Sequence, residues 1–125
     1  MQNDFIQDWV RGRAALNVKL SSNKLQRHPY EPCYLYESGI RPLEQFPVKG
    51  FIWYQGESNA HNREAHERLF RLLVESWRKN WGDAELPFYF VQLSSIDRPS
   101  WIWFRDSQRR LMAEIPHTGM AVSSD

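Results

Sequence analysis

Cysteine is nearly absent from this chain of 125 residues: Cys33 stands alone. A single cysteine can form no internal disulfide and argues against a cysteine-built metal cluster. Its simplest reading is a small buried apolar residue. Long apolar runs are missing, so no segment can be read as spanning a bilayer. The first residues, Met-Gln-Asn-Asp-Phe, lack the basic start and apolar run of a signal peptide. The compartment stays open, since a longer protein could carry an export signal to the periplasm or outside. Charge of one sign is also missing. A net charge of +1 supplies no global field to draw nucleic acid or an anionic membrane. No repeat or low-complexity tract is visible.

What is present is an ordinary globular composition with unusual aromatic weight. Hydrophobic residues make up 42% and charged residues 25%, which suits one domain or part of one. Six tryptophans stand out. They read either as a heavily aromatic core or as rings lining a sugar-binding cleft.

Residues 1–30 are poorly defined: Trp9 to Leu20 suits a short helix or a strand pair, and Ser21-Ser22-Asn23-Lys24 reads as a turn. Four prolines predict that residues 28–47 are mostly irregular, with extended pieces such as Tyr34-Leu35-Tyr36. Val48 to Tyr54 then reads as a fully buried parallel strand that empties into small and polar residues. A helix follows, capped by Asn59 or Asn62, with Leu69, Leu72, Leu73, Ser76 and Trp77 on its apolar side and Gly82 as its stop. Phe88 to Leu93 is a second buried strand, entered through Pro87, and Ser94 to Ser100 a polar loop. Phe104, Gln108, Leu111, Met112 and Ile115 mark a second helix, ended by Pro116 and Gly119; Met120 to Val122 begins a third strand. The order β-α-β-α-β predicts an α/β fold with a parallel sheet and right-handed crossovers. Three strands are few for such a sheet, which wants helices on both faces. The chain is therefore read as part of a larger domain.

In open α/β sheets, ligands sit beyond the carboxyl ends of the strands. The segment Gln55-Gly56-Glu57-Ser58-Asn59 occupies that position after the first strand. Gln55 and Asn59 offer side-chain amides, and Gly56 allows close backbone approach. Two readings stay open. In one, these groups form a site. In the other, Asn59 caps the helix, Gly56 makes the turn and Glu57 sits favourably at the helix N-terminus. Ser58 lies between strand and helix as a nucleophile would, but no Gly-x-Ser-x-Gly surrounds it, and a turn hydroxyl is the plainer reading. His61 and His66, five apart, do not share a helix face and read as surface residues of the first turns. His28 falls in an irregular segment, and His117 in a helix-to-strand loop on the opposite edge. Asp97 and Arg98 follow the second strand on the same edge as Glu57; they suit substrate contact or a solvated loop. Arg63, Arg68, Arg71, Arg78 and Lys79 read as a solvated helix face.

Phe51 to Ala60 resembles the Trp-Tyr-Gln-Gly-Glu-Ser-Asn signature of the sialate O-acetylesterases and related carbohydrate acetylesterases, a branch of the SGNH hydrolases. Flanking pieces agree in order: Tyr34-Leu35-Tyr36 with Ile40, Pro42 and Leu43; Pro47-Val48-Lys49-Gly50; Leu86 to Leu93; Trp103, Arg105 and Gln108; and Gly119 to Val122 with Asp125. The resemblance covers roughly residues 30–125 of one partial domain over 1–125. It implies a three-layer SGNH or flavodoxin-like fold, removal of acetyl groups from sugars, and neither metal nor organic cofactor.

The resemblance also implies roles. Gln55, Gly56 and Asn59 would be donors to an oxyanion, and Glu57 would orient the base histidine or hold a sugar hydroxyl. The family's nucleophilic serine belongs to a Gly-Gln-Ser-Asn block and its histidine to an Asp-x-x-His block; neither block occurs in these 125 residues. The chain is expected to be a central-to-late fragment, inactive alone, with the remainder of the esterase domain and an acetylated sugar as partners. A non-catalytic carbohydrate-binding or interaction module of α/β fold is the alternative.

Overall fold

The computed structural model describes residues 8–23, 27, 29, 31 and 33–123. His28 and Asp125, singled out above, lie outside these, as does Lys24. Two compact units divide the chain, residues 1–46 and 47–125.

In the first unit, helix α1 spans Asp8–Leu20, so the helix is the form realised between Trp9 and Leu20. It buries no residue and leaves Trp9, Leu16 and Leu20 exposed. The expected turn follows, with the Ser21 hydroxyl accepting from the Asn23 amide at 3.1 Å. Tyr34-Leu35-Tyr36 is not extended. It opens a run of tight helical turns, a wide π-type turn over Tyr36–Ile40 and a 3₁₀ turn over Arg41–Leu43. Pro42 sits in the first turn of the latter, where its missing N–H costs nothing. Side chains brace the segment, through Arg27 to Glu31 and Glu37, and Tyr36 to Glu44. Cys33 is exposed, not buried; it takes a positive φ of 67° and its carbonyl accepts from Glu37 at the start of these turns.

The second unit holds the sheet: strand β1 (Phe51–Trp53), helix α2 (Arg63–Trp81), strand β2 (Phe88–Val91), helix α3 (Pro99–Glu114) and strand β3 (Thr118–Ala121). All three strands are parallel in the order β1-β2-β3, with Phe51 opposite Phe88 and Phe88 opposite Thr118. Strands β1 and β2 are shorter than the apolar runs that predicted them, because pairing stops where the chain turns into the loops, and β3 starts at Thr118, before the expected Met120. Two crossovers of the usual right hand that step the same way across a sheet put both helices on one face, and α2 and α3 pack against each other. That face is an aromatic core. Phe51 meets Trp77 and Trp81 edge-on at 4.7 and 4.9 Å, and Phe70 meets Phe90 at 5.0 Å. Trp53, Trp77, Trp81 and Trp101 all pack inside or against this layer, whereas Trp9 and Trp103 are exposed.

The other face is bare, which corrects the expectation of a strand buried on both sides. Ile52 is 86% exposed and Tyr89 53%. The Tyr89 ring lies over Gly119, whose missing Cβ would come within 2.8 Å of it.

Helix α2 is also rotated from the expected face. It buries His66, Phe70, Val74, Trp77 and Arg78, while Leu69, Leu72 and Ser76 are exposed. Larger rings at 66, 70 and 77 take the core side, and the leucines yield it. Gly82 ends the helix in the left-handed conformation, its amide reaching Arg78 and Lys79 carbonyls. Arg78 does not belong to a solvated face. It is buried, its Nε donating to the Leu86 carbonyl and its Nη2 to those of Pro116 and His117. Helix α3 starts earlier than its apolar pattern predicts, with Pro99 in its first turn.

Candidate active site at the carboxyl edge of the sheet

Beyond Trp53 the chain leaves the sheet and turns sharply at Gly56, whose φ of 151° suits only glycine. A 3₁₀ turn follows over Glu57–Asn59, closed by the Asn59 amide on the Gly56 carbonyl at 2.8 Å. Gly56 is buried: a Cβ there would fall 2.6 Å from Cε1 of Phe104. Ala60, Leu93, Trp101 and Phe104 form the apolar cluster beneath this turn. The loop after β1, the end of β2 and the first turns of α3 thus share one floor.

Helix α3 holds the second loop by side chains, where strand pairing has ended. Gln108 accepts from the Leu93 amide at 3.0 Å and donates to the Val91 carbonyl at 3.4 Å. Gln92 donates to the Arg105 carbonyl at 2.9 Å, and Arg105 returns a bond to Gln92 Oε1 at 3.0 Å. The Trp101 indole donates to the Ser94 carbonyl at 2.7 Å. Arg105, Gln108 and Trp101 fix where Ser94 to Arg98 begins, a role that no local pattern in the sequence announces.

Electrostatically, the first loop closes on itself. The Glu57 carboxyl is held below the usual carboxylate range, first by the Tyr54 hydroxyl and then by the backbone amides of Glu57 and Gly56. The Tyr54 phenol is pushed up in return by the same carboxylate. The backbone amides of Gly56 and Glu57 open the turn, at the edge of the sheet where an oxyanion would need donors. Gln55 is half-buried beside them, and Ser58 is exposed.

Asn59 behaves differently from a helix cap. Asn62 occupies the N-cap position of α2 but makes no side-chain cap bond. The Asn59 side chain reaches past the helix start to His66, Nδ2 to Nδ1 at 3.4 Å. His66 is not a surface residue: it is 4% exposed, with Phe104 at 4.5 Å and Phe70 at 6.0 Å. The spacing carries the clue, since 66, 70, 74 and 77 make one helical stripe. His61 is exposed as expected. His117 is exposed at the amino edge, where its carbonyl accepts from Phe88. Ser58 and His117 sit at opposite ends of the strands, so the two cannot act as nucleophile and base of one site. Arg98 lays its guanidinium over the Trp101 ring, 5.4 Å from the centroid, and Asp97 is exposed on the same loop. Among the described residues, no three His, Cys, Asp or Glu side chains gather as a metal site would require.

Burial alone pushes the His66 imidazole from 6.5 down to about 4. The unfolded chain therefore takes up this proton before the folded one does. Stability from this group is full above about pH 6.5 and is lost as pH falls toward about 4. The loss is roughly 3 kcal/mol at most. Urea midpoints at pH 7 and 4.5 should diverge more for the native chain than for His66→Phe. Equal divergence would show that His66 carries no such linkage.

Residues 6–125 match the carbohydrate esterase family described as sialic acid-specific acetylesterase. Sialate O-acetylesterase from Mus musculus is 41% identical over 75 residues, covering 54% of this chain and 14% of the relative. The Homo sapiens protein of the same name is 39% identical over 75 residues, with the same coverage of 54% and 14%. A crystal structure of a carbohydrate acetylesterase from Xanthomonas citri superposes with a TM-score of 0.63 at 40% identity, covering 70% of this chain and 22% of that one. The chain thus spans about a seventh of the length of these curated relatives. The fold is that of a fragment of a carbohydrate acetylesterase, an α/β architecture with a parallel sheet. More particularly, the chain belongs to the sialic acid-specific acetylesterase family, and the match reaches further toward the N-terminus than the motifs quoted above.

Proposed function

We propose that this chain supplies the oxyanion side of an acetylesterase site acting on acetylated sugars, with sialic acid esters as the first substrate class to test. The observation that carries this reading is the turn at Gly56 at the carboxyl edge of β1, whose φ of 151° and lack of room for a Cβ hold the backbone of Gln55–Asn59 tight on the floor shared with the loop after β2. In the reaction, an acyl oxygen that gains negative charge would be met by backbone N–H groups of this turn. Glu57 would orient a base histidine or hold a sugar hydroxyl. Gln55 and Asn59 would add side-chain donors. Asp97 and Arg98, on the neighbouring loop, would touch the sugar. The nucleophilic serine and the base histidine would come from polypeptide with the Gly-Gln-Ser-Asn and Asp-x-x-His blocks that these 125 residues do not contain.

Two measurements test the reading. The pure chain should give no turnover of an aryl acetate above buffer; turnover that disappears in Ser58→Ala would replace this assignment with a Ser58 hydrolase. In a chimaera carrying residues 47–125 within the Xanthomonas citri acetylesterase, Asn59→Ala or Gln55→Ala should lower kcat about 10²–10³-fold with KM little changed. Unchanged kcat in both variants would remove them from the site.

A further inference from the structure

We propose that His66 is a positioning residue for the proposed site, its unprotonated Nδ1 accepting one N–H of the Asn59 amide so that the other N–H is aimed at the acyl oxygen. The inference rests on the site reading given above and deepens it. Asn59 stands at the end of the 3₁₀ turn, with its backbone already fixed by the Gly56 carbonyl at 2.8 Å. Backbone placement alone leaves the side-chain amide free to rotate. The 3.4 Å approach of Nδ2 to His66 Nδ1 removes that freedom. An amide nitrogen has two N–H groups, so anchoring one fixes the direction of the second.

His66 is itself held rigidly. Its ring is 4% exposed and lies 4.5 Å from the Phe104 ring. Phe104 also limits Gly56 from the other side, leaving no room for a Cβ. One buried ring therefore sets both ends of the loop: the Gly56 turn directly, and the Asn59 amide through His66. A buried imidazole also needs a partner for its ring nitrogens, since an unmet polar group in an apolar slot is costly. Asn59 meets that need at Nδ1, so positioning and burial are served by the same bond.

A histidine that only filled space would be replaced best by phenylalanine. A histidine that accepts at Nδ1 is replaced best by asparagine, whose Oδ1 lies near the same point. The test uses the full isotope-labelled chain and NMR. In the native chain, Nδ1 of His66 should carry the shift of an unprotonated nitrogen and Nε2 that of a protonated one. The Asn59 side-chain NH₂ should exchange slowly with water, accelerate at least tenfold in His66→Phe, and return to within twofold of native in His66→Asn. A protonated Nδ1, or an Asn59 amide unchanged in His66→Phe, would overturn the proposal. Should either variant fail to fold, the native ring shifts decide it alone. Failure of the underlying site reading looks different: Asn59→Ala would keep full kcat in the chimaera while the Asn59–His66 bond persisted in the native spectrum.

Discussion

Gly56→Ala should lower folding stability by about 3–5 kcal/mol, the sum of a strained backbone and an overfilled core. The φ of 151° is one that an L side chain rarely adopts. The added methyl would sit 2.6 and 2.7 Å from Cε1 and Cζ of Phe104, with Cδ1 of Leu93 at 3.4 Å. Phe104 has no room to retreat: it is fully buried at the centre of the cluster under the loop. The loop must lift or the ring must leave its place, and either change moves the Gln55–Asn59 turn. Gly82→Ala provides the control. It also has a positive φ, 68°, but nothing lies within 4 Å of its missing Cβ. Only the conformational cost remains there, about 1–2 kcal/mol. Chemical denaturation of both variants checks the comparison. A Gly56→Ala midpoint equal to that of Gly82→Ala would show that Phe104 does not confine the turn.

Arg78→Met should cost a similar amount, about 3–5 kcal/mol, by a different route. Arg78 is 9% exposed and donates to three carbonyls, Leu86 at 3.0 Å, Pro116 at 2.7 Å and His117 at 3.2 Å. One guanidinium thus ties the end of α2 to the entry of β2 and to the turn before β3. Methionine keeps much of the stem packing and removes every donor, leaving the Leu86 and Pro116 carbonyls without this partner in a partly buried place, while the His117 carbonyl keeps the Phe88 amide. Arg78→Lys should recover little, since a single ammonium cannot reproduce the planar fork of donors. The expected signature is a lowered denaturant midpoint for both variants, with the β3 amides losing hydrogen-exchange protection first. A midpoint within about 1 kcal/mol of native for Arg78→Met would show that the carbonyls find other partners.

Features that depend on local pattern are legible in the residues themselves. The order of strands and helices from Val48 to Val122, the stop at Gly82 and the turn at Gly56 all follow from residue type and spacing. The loop Gln55–Asn59 is legible because apolar residues give way abruptly to small and polar ones. What escapes such a reading depends on partners distant in the chain. Leu69 and Leu72 look as apolar as Phe70 and Val74, and only the rings of β1 and β2 decide which side turns inward. Arg78 looks like one more surface charge because its carbonyl partners at 116 and 117 lie well along the chain. Tyr34 to Tyr36 read as extended because nearby prolines discourage helices, yet Pro42 enters a turn at a position that tolerates it. His66 reads as a surface residue when paired with His61, and its place in the stripe with Phe70 shows only once that stripe is known to face the sheet.

The strand order carries a kinetic consequence. Each strand docks beside the one that precedes it in the chain, with a single helix between them. Among the described strands no pairing has to wait for a distant segment to arrive, so the entropy of each of these closures is modest for a parallel arrangement. The β1-α2-β2 portion can collapse first around its packed rings, and β3 can dock afterwards along β2.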